Sequence, residues 1–133
     1  MADIYKVAGI VLEDKKMLVV HKKTLGMYIS LGGKKDTSES ELECLARENL
    51  EEVGCFTRNA RHYRTFNGKT HDGQSAITIS CYFCDLEGEI TLNPEDNIDG
   101  YAWIGRDYKE QGIRVAPMLE EQIIPALISE RYL

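Results

Sequence analysis

The residues with the most chemical content are acids at helical spacing. Glu48, Glu51 and Glu52 recur at intervals of three and four within Glu39–Val53, a segment whose pattern predicts a helix. At 3.6 residues per turn these acids share one side, and Glu41 projects the same way. Leu42, Leu45, Ala46 and Val53 fall on the opposite, core-facing side. Like charges in one stripe repel, and pairing of Arg47 with Glu43 and Glu51 relieves only part of that. Two readings suit such a stripe. One is a solvated acidic face. The other is a hard-cation site, where carboxylates and a backbone carbonyl supply the oxygens that Mg²⁺ or Mn²⁺ prefers. Just upstream, Gly32-Gly33-Lys34 offers exposed amides and a cation, which suit a phosphate held beside that metal. It is not a Walker loop, which needs a longer Gly spacing and Ser or Thr after the Lys.

The elements that must position these residues can be read around them. Ser38 with Glu41 three residues on predicts a capping box, and Gly54 a stop. Tyr5–Leu12 and Met17–His21 read as strands of a hairpin about the polar turn Glu13–Lys16. A Lys- and Gly-rich loop is then expected, ending in Ile29-Ser30-Leu31-Gly32-Gly33-Lys34. Arg61–Phe66 and Ala76–Leu86 read as strands with a turn over Asn67–Gly73 between them, and Glu89–Leu92 and Tyr101–Ile104 as short strands. Leu119, Ile123, Ile124, Leu127 and Ile128 mark a last helix over Val115–Arg131, which Pro125 should kink or divide. Strands mixed with two separated helices predict a mixed sheet with helices packed on it.

Composition narrows the class. A chain of 133 residues, 43% hydrophobic and 29% charged, predicts one globular domain over residues 1–133. A net charge of −6 disfavours general nucleic-acid binding, and no apolar run is long enough for a bilayer span. The first residues lack a basic stretch followed by an apolar one, so a cytoplasmic protein with reduced thiols is expected. Cys81-x-x-Cys84 invites a zinc or redox reading, but it lies in a strand-like run where side chains three apart face opposite ways. Cys44, Cys55, Cys81 and Cys84 are therefore expected as structural thiols. His21, His62 and His71 lack ligand-like spacing and are read as structural or surface residues. Tyr5, Tyr28, Tyr63, Phe66, Tyr82, Phe83 and Trp103 suit either core packing or a base-stacking wall.

Gly33–Cys55 resembles the Nudix box: Gly, five residues, Glu, seven residues, then Arg-Glu-apolar-x-Glu-Glu-x-Gly-apolar. Gly33, Glu39, Arg47, Glu48, Glu51, Glu52 and Gly54 stand at the required spacing. Asn49 occupies the aliphatic position, in the middle of the expected core face, where its amide needs partners. Leu31 stands where relatives often have Pro. The resemblance implies an α/β/α sandwich with a mixed curved β-sheet between helices. It also implies an enzyme that hydrolyses a nucleoside diphosphate linked to another group, through attack of water on a pyrophosphate phosphorus with Mg²⁺ (or Mn²⁺) as cofactor.

By the same resemblance, Glu48, Glu51, Glu52 and the Gly32 carbonyl are the metal ligands. Glu48, Glu51 and Arg47 form the catalytic set, with Glu48 a ligand or the base and Arg47 orienting a glutamate. Gly33, Lys34 and Glu39 belong to the substrate-binding region, with Glu39 holding the loop against the helix. Glu95-Asp96-Asn97-Ile98-Asp99 is the place for a further carboxylate, against the simpler reading of a polar turn. The partner implied is a small nucleotide, with no nucleic acid and no membrane, and a homodimer is left open. Subgroup patterns for ADP-ribose, dinucleoside polyphosphates, NADH and coenzyme A are absent. Elimination points to a MutT-like triphosphatase that releases a monophosphate and pyrophosphate, with 8-oxo-dGTP the obvious candidate. The alternatives are another nucleoside diphosphate derivative, such as ADP-ribose or a sugar nucleotide, or a non-catalytic nucleotide-sensing module.

Overall fold

The structure is a computed structural model describing residues 3–70 and 73–133. His71 and Asp72, part of the turn expected over 67–73, lie outside the described residues.

β1 (Ile4–Ile10), the two-residue β2 (Leu12–Glu13) and β3 (Lys16–Lys22) form the expected hairpin, reversing at Asp14 and Lys15 with φ of 51° and 62°. The segment expected as a loop is instead a strand, β4 (Met27–Lys34). Its first half pairs antiparallel with β3, and its second half, from Leu31, with β1. Its strand state comes from hydrogen bonding to two neighbours in turn, so no simple alternation marks it.

α1 (Glu41–Val53) begins later than expected. Its cap is Ser40, not Ser38: Glu43 N–H donates to Ser40 Oγ at 3.1 Å, and Ser40 N–H to Glu43 Oε1 at 2.8 Å. Both serines satisfy the capping-box spacing. Glu39 is held in the loop by Arg47 and Glu41 is engaged by the sheet, which leaves Ser40 and Glu43 to close the box. Gly54 ends the helix as expected, its N–H on Leu50 O at 3.1 Å.

β5 (Phe56–Lys69) starts earlier than the expected Arg61 and pairs antiparallel with β6 (Ala76–Glu87), which runs parallel to β1. The strand expected at Glu89–Leu92 does not form. The segment has no neighbouring strand, and Thr91 N–H caps α1 through Val53 O at 2.8 Å instead. A 3₁₀ turn at Pro94–Asp96 leads into β7 (Ile98–Ile104) on β3, longer than the expected Tyr101–Ile104. The terminal helical segment runs from 117 to 129 and changes type next to Pro125, in line with the expected division into two pieces. A widened π turn at Leu119–Ile123, in which Ile124 N–H reaches Leu119 O, precedes α2 (Ile124–Ser129) and places Pro125 in its first turn.

The sheet runs β2-β3-β4-β1-β6-β5 with β7 joining β3. α1 covers one face through Leu45 and Val53 against Val7, Leu18, Val20 and Leu31. The terminal helix covers the other through Leu119, Ile123 and Leu127 against Ala8, Val19 and Phe83. This is the expected sandwich. Leu42, expected in the core, is 51% exposed, because α1 turns its acids toward β4 rather than away.

Candidate active site

The site is built where β4 meets α1. Gly32 has φ of 114°, and a Cβ there would lie 1.9 Å from Val7 O, so only glycine fits. Gly33 faces Glu48: a Cβ would fall 2.6 Å from Glu48 Cδ. Two residues without side chains thus leave room for two carboxylates. Glu52 enters from α1 and accepts the Gly32 N–H at 2.9 Å. It is only 3% exposed, which corrects the expectation of three acids on an open face. Glu48 is half-buried and Glu51 exposed.

Arg47 organises the rest. Its guanidinium donates to Glu39 (2.7 and 3.1 Å), Glu48 (2.9 Å), Glu51 (3.2 Å) and the Lys34 carbonyl (3.2 Å). Glu43, an expected partner, serves the cap instead. Glu39, grouped above with the substrate-binding residues, spends its carboxylate on Arg47 and the Asp36 N–H. Arg47 and then that N–H hold its carboxyl down at about 2. Lys34 keeps its carbonyl on the Arg47 and Cys44 side.

The electrostatics are unbalanced. Burial foremost, then the charges of Glu48 and Asp96, push Glu52 up to about 8 despite the Gly32 N–H and Lys22. Burial also raises Glu48, with Glu51 and Asp96 adding to it against Arg47. From the expected acidic run, Asp96 is the residue whose charge reaches both Glu48 and Glu52. Asp99 pairs with His21 at 2.5 Å, and Glu95 lies in the capped first turn. Lys22 was not singled out from the sequence. Its ammonium donates to Asp96 O at 2.9 Å and its charge reaches Glu52. The period-two pattern of β3, with Leu18 and Val20 on the α1 face, is the signal that puts Lys22 there.

Among the described residues, no three His, Cys, Asp or Glu side chains converge closely enough to enclose a metal as they stand. Glu48 and Glu51 lean on Arg47, and Glu52 on Gly32. The donor chemistry nevertheless fits a hard divalent cation: all donors are oxygen, and buried Glu52 lies beside half-buried Glu48, whose charge adds to that of Asp96. Closing on an ion requires Glu48 and Glu51 to turn from the guanidinium.

The other expectations resolve clearly. Glu41 points away from Arg47 and accepts hydrogen bonds from Tyr5, Ser80 and Tyr82. Burial raises its carboxyl, but these three hydroxyls together outweigh that and leave it below the usual range. Asn49 is wholly buried. Its Nδ2 donates to Thr57 Oγ1 at 2.7 Å and its Oδ1 has no partner. Cys81 and Cys84 belong to opposite cores, as their spacing predicts, and all four cysteines are free and buried. Burial raises each thiol, Cys44 and Cys81 to about 12. His62 packs edge-on against Tyr82. Phe66 and Phe83 are core residues, while Tyr5 is 41% exposed.

The NUDIX domain model matches residues 4–111, so the chain belongs to the Nudix family. Its class is that of hydrolases acting on phosphoric anhydrides, a family that binds small nucleotides and generally uses divalent metal. No curated protein sequence matches it. Among solved structures it resembles the Escherichia coli ORF135 protein at 21% identity and a TM-score of 0.78, covering 98% of this chain and 92% of that one. The MutT NUDIX hydrolase of Burkholderia pseudomallei matches at 19% identity and 0.72, covering 80% and 86%. The NUDIX domain of Shewanella oneidensis NrtR, solved with ADP ribose, matches at 18% and 0.75, covering 100% and 90%. At these identities the structures share the fold.

Proposed function

We propose that this protein is a Mg²⁺- or Mn²⁺-dependent pyrophosphohydrolase that cuts a nucleoside triphosphate to a monophosphate and pyrophosphate. The observation that carries this is the pair of acids, half-buried Glu48 and buried Glu52, beside the side-chain-free Gly32-Gly33 turn, with the charge of Asp96 reaching both and that of Lys22 reaching Glu52. In this reading Glu48, Glu51, Glu52 and the Gly32 carbonyl hold the cation. Bound there, the ion supplies charge neutralisation and lowers the pKa of an attacking water.

The chain's own residues do the remaining work. Glu52 is fixed by the Gly32 N–H, which ties the helix to the turn. Arg47 keeps Glu48 and Glu51 within reach while Glu39 anchors it from the loop. Glu48 takes the proton of the water when it is not needed as a ligand. Lys22 and Lys34 offset phosphate charge in a chain whose net charge is −6. Gly33 lets a phosphate approach the backbone closely.

The test is turnover of a panel with Mg²⁺ or Mn²⁺: the common and 8-oxo-purine nucleoside triphosphates, ADP-ribose, sugar nucleotides and dinucleoside polyphosphates. Triphosphate cleavage releasing pyrophosphate is the expected result. Preference for ADP-ribose, the ligand of the NrtR domain, would replace it with the diphosphate-derivative reading. Binding of nucleotides without turnover would replace it with the sensing reading.

A further inference from the structure

Strand β7 changes phase partway along. Trp103 packs against the α1 core, and Ile98, five positions earlier, is a member of the same core. Strict alternation would put residues an odd number apart on opposite faces of the sheet. The pairing with β3 shows where the extra residue enters. His21 stands opposite Gly100 and Lys22 opposite Ile98, so Asp99 is left over as a bulge. Its carboxylate is taken by His21, whose Nδ1 lies 2.5 Å from Asp99 Oδ1. The His21 ring is backed in turn by Tyr28, edge-on with centroids 4.9 Å apart.

The bulge sets the phase of the chain before it. Lys23 N–H donates to Asn97 O at 2.8 Å, and the Lys22 ammonium donates to Asp96 O at 2.9 Å. Asn97 sits at φ of 64° with its N–H on Pro94 O at 3.1 Å, which closes the turn Pro94–Asp96. That turn is thus fastened to the end of β3, where Lys22 shares the α1 face with Leu18 and Val20. Without the extra residue, Asp99 would stand opposite Lys22 and Ile98 opposite Lys23. Ile98 would then face away from α1, and the turn would be one residue out of phase. A bulge leaves the ladder locally disrupted, so other interactions must hold it. Burial of Ile98, 1% exposed, is one of them. The His21–Asp99 pair is another, and it acts on the bulged residue itself.

We propose that His21 and Asp99 form a latch that keeps the β7 bulge in register and so holds the Asp96-bearing turn at the candidate site, which makes both of them positioning residues for the hydrolysis proposed above. The effect on turnover rests on that reading, whereas the latch itself does not. His21 and Asp99 act through Asp96 and Lys22, whose charges reach Glu52. Release of the latch frees the turn to slip by one residue, which takes the Asp96 carbonyl away from Lys22.

The experiment compares the parent with Asp99→Ala, which removes the latch, and Asp99→Asn, which keeps an acceptor for His21. Asp96→Ala is made alone and combined with Asp99→Ala. In amide hydrogen exchange, the Lys23 and Asn97 N–H groups are expected to exchange about 10-fold or more faster in Asp99→Ala, while Asp99→Asn stays within about 3-fold of the parent. Amides in the β1–β6 pairing should keep their parental rates, which separates release of the turn from general destabilisation. In turnover with Mg²⁺ or Mn²⁺, Asp99→Ala is expected to lose about 10-fold in kcat, as much as Asp96→Ala, and the double variant no more than either. Unchanged exchange at Lys23 and Asn97, parental turnover in Asp99→Ala, or losses that multiply in the double variant overturns the proposal. If the parent cleaves no nucleotide, the hydrolase reading fails, and the exchange comparison still decides the latch. Should Asp99→Ala not fold, His21→Ala takes its place in the same comparison.

Discussion

At the residue scale, burial decides what each acid can do. Glu52 is enclosed, and burial raises its carboxyl from an ordinary 4.5 to about 8. An acid whose folded pKa is raised costs stability above its unfolded pKa, progressively as pH rises from 4.5 toward 8. Glu52→Gln is therefore expected to match or exceed the parent's Tm without metal, by a margin that grows with pH over that window, in calorimetric scans. The same variant should lose about 100-fold or more in turnover and most of the Tm rise produced by Mg²⁺ or Mn²⁺. Its reason is burial beside Gly32, not exposure on an open face. Asn49 makes a second case. Asn49→Leu alone leaves Thr57 Oγ1 without its partner, whereas Asn49→Leu with Thr57→Val removes both polar groups. The double variant is expected to be more stable than the parent by about 1 kcal/mol, and the single variant less so, in urea unfolding.

At the scale of elements, α1 is held at both ends and by its middle. The cap is Ser40, so Ser40→Ala should cost about 1 kcal/mol in denaturant unfolding while Ser38→Ala costs almost nothing. The reverse order would restore the expected start of the helix. In the first turn, Glu41 is tied by three hydroxyls to β1 and β6. In the middle, Arg47 spans the loop and the helix through Glu39, Glu48, Glu51 and the Lys34 carbonyl. Arg47→Lys keeps the charge but not the planar fork, and is expected to lower kcat by about 10-fold or more with a smaller loss of stability. The helix was legible because its periodicity, Arg47 and Gly54 agree. β4 was not, because its pairing partners are remote in sequence and change at Leu31. The expected strand at Glu89–Leu92 has suitable residues but no neighbouring strand.

At the scale of the whole molecule, acid should act on the carboxylates held below their ordinary range. Glu39, at about 2, and Glu41, also lowered, are bound as anions in the folded state. Their contribution is complete above the unfolded value of 4.5 and is lost as pH falls through the folded values. Tm is expected to decline between pH 4.5 and about 2, and the decline to be shallower in Glu39→Gln than in the parent. The sequence by itself determined the family motif, the acids at helical spacing, the hairpin, the two covering helices and the opposite facing of Cys81 and Cys84. Each of these follows from local periodicity or spacing, which the chain carries wherever it folds. Only the tertiary structure decided that Glu52 is buried, that Leu42 is exposed, and that Lys22 and Asp96 stand close enough for their charges to reach Glu52. Those outcomes depend on which face of α1 meets the side-chain-free turn at Gly32 and on strand register between distant segments, and no single stretch of sequence contains either.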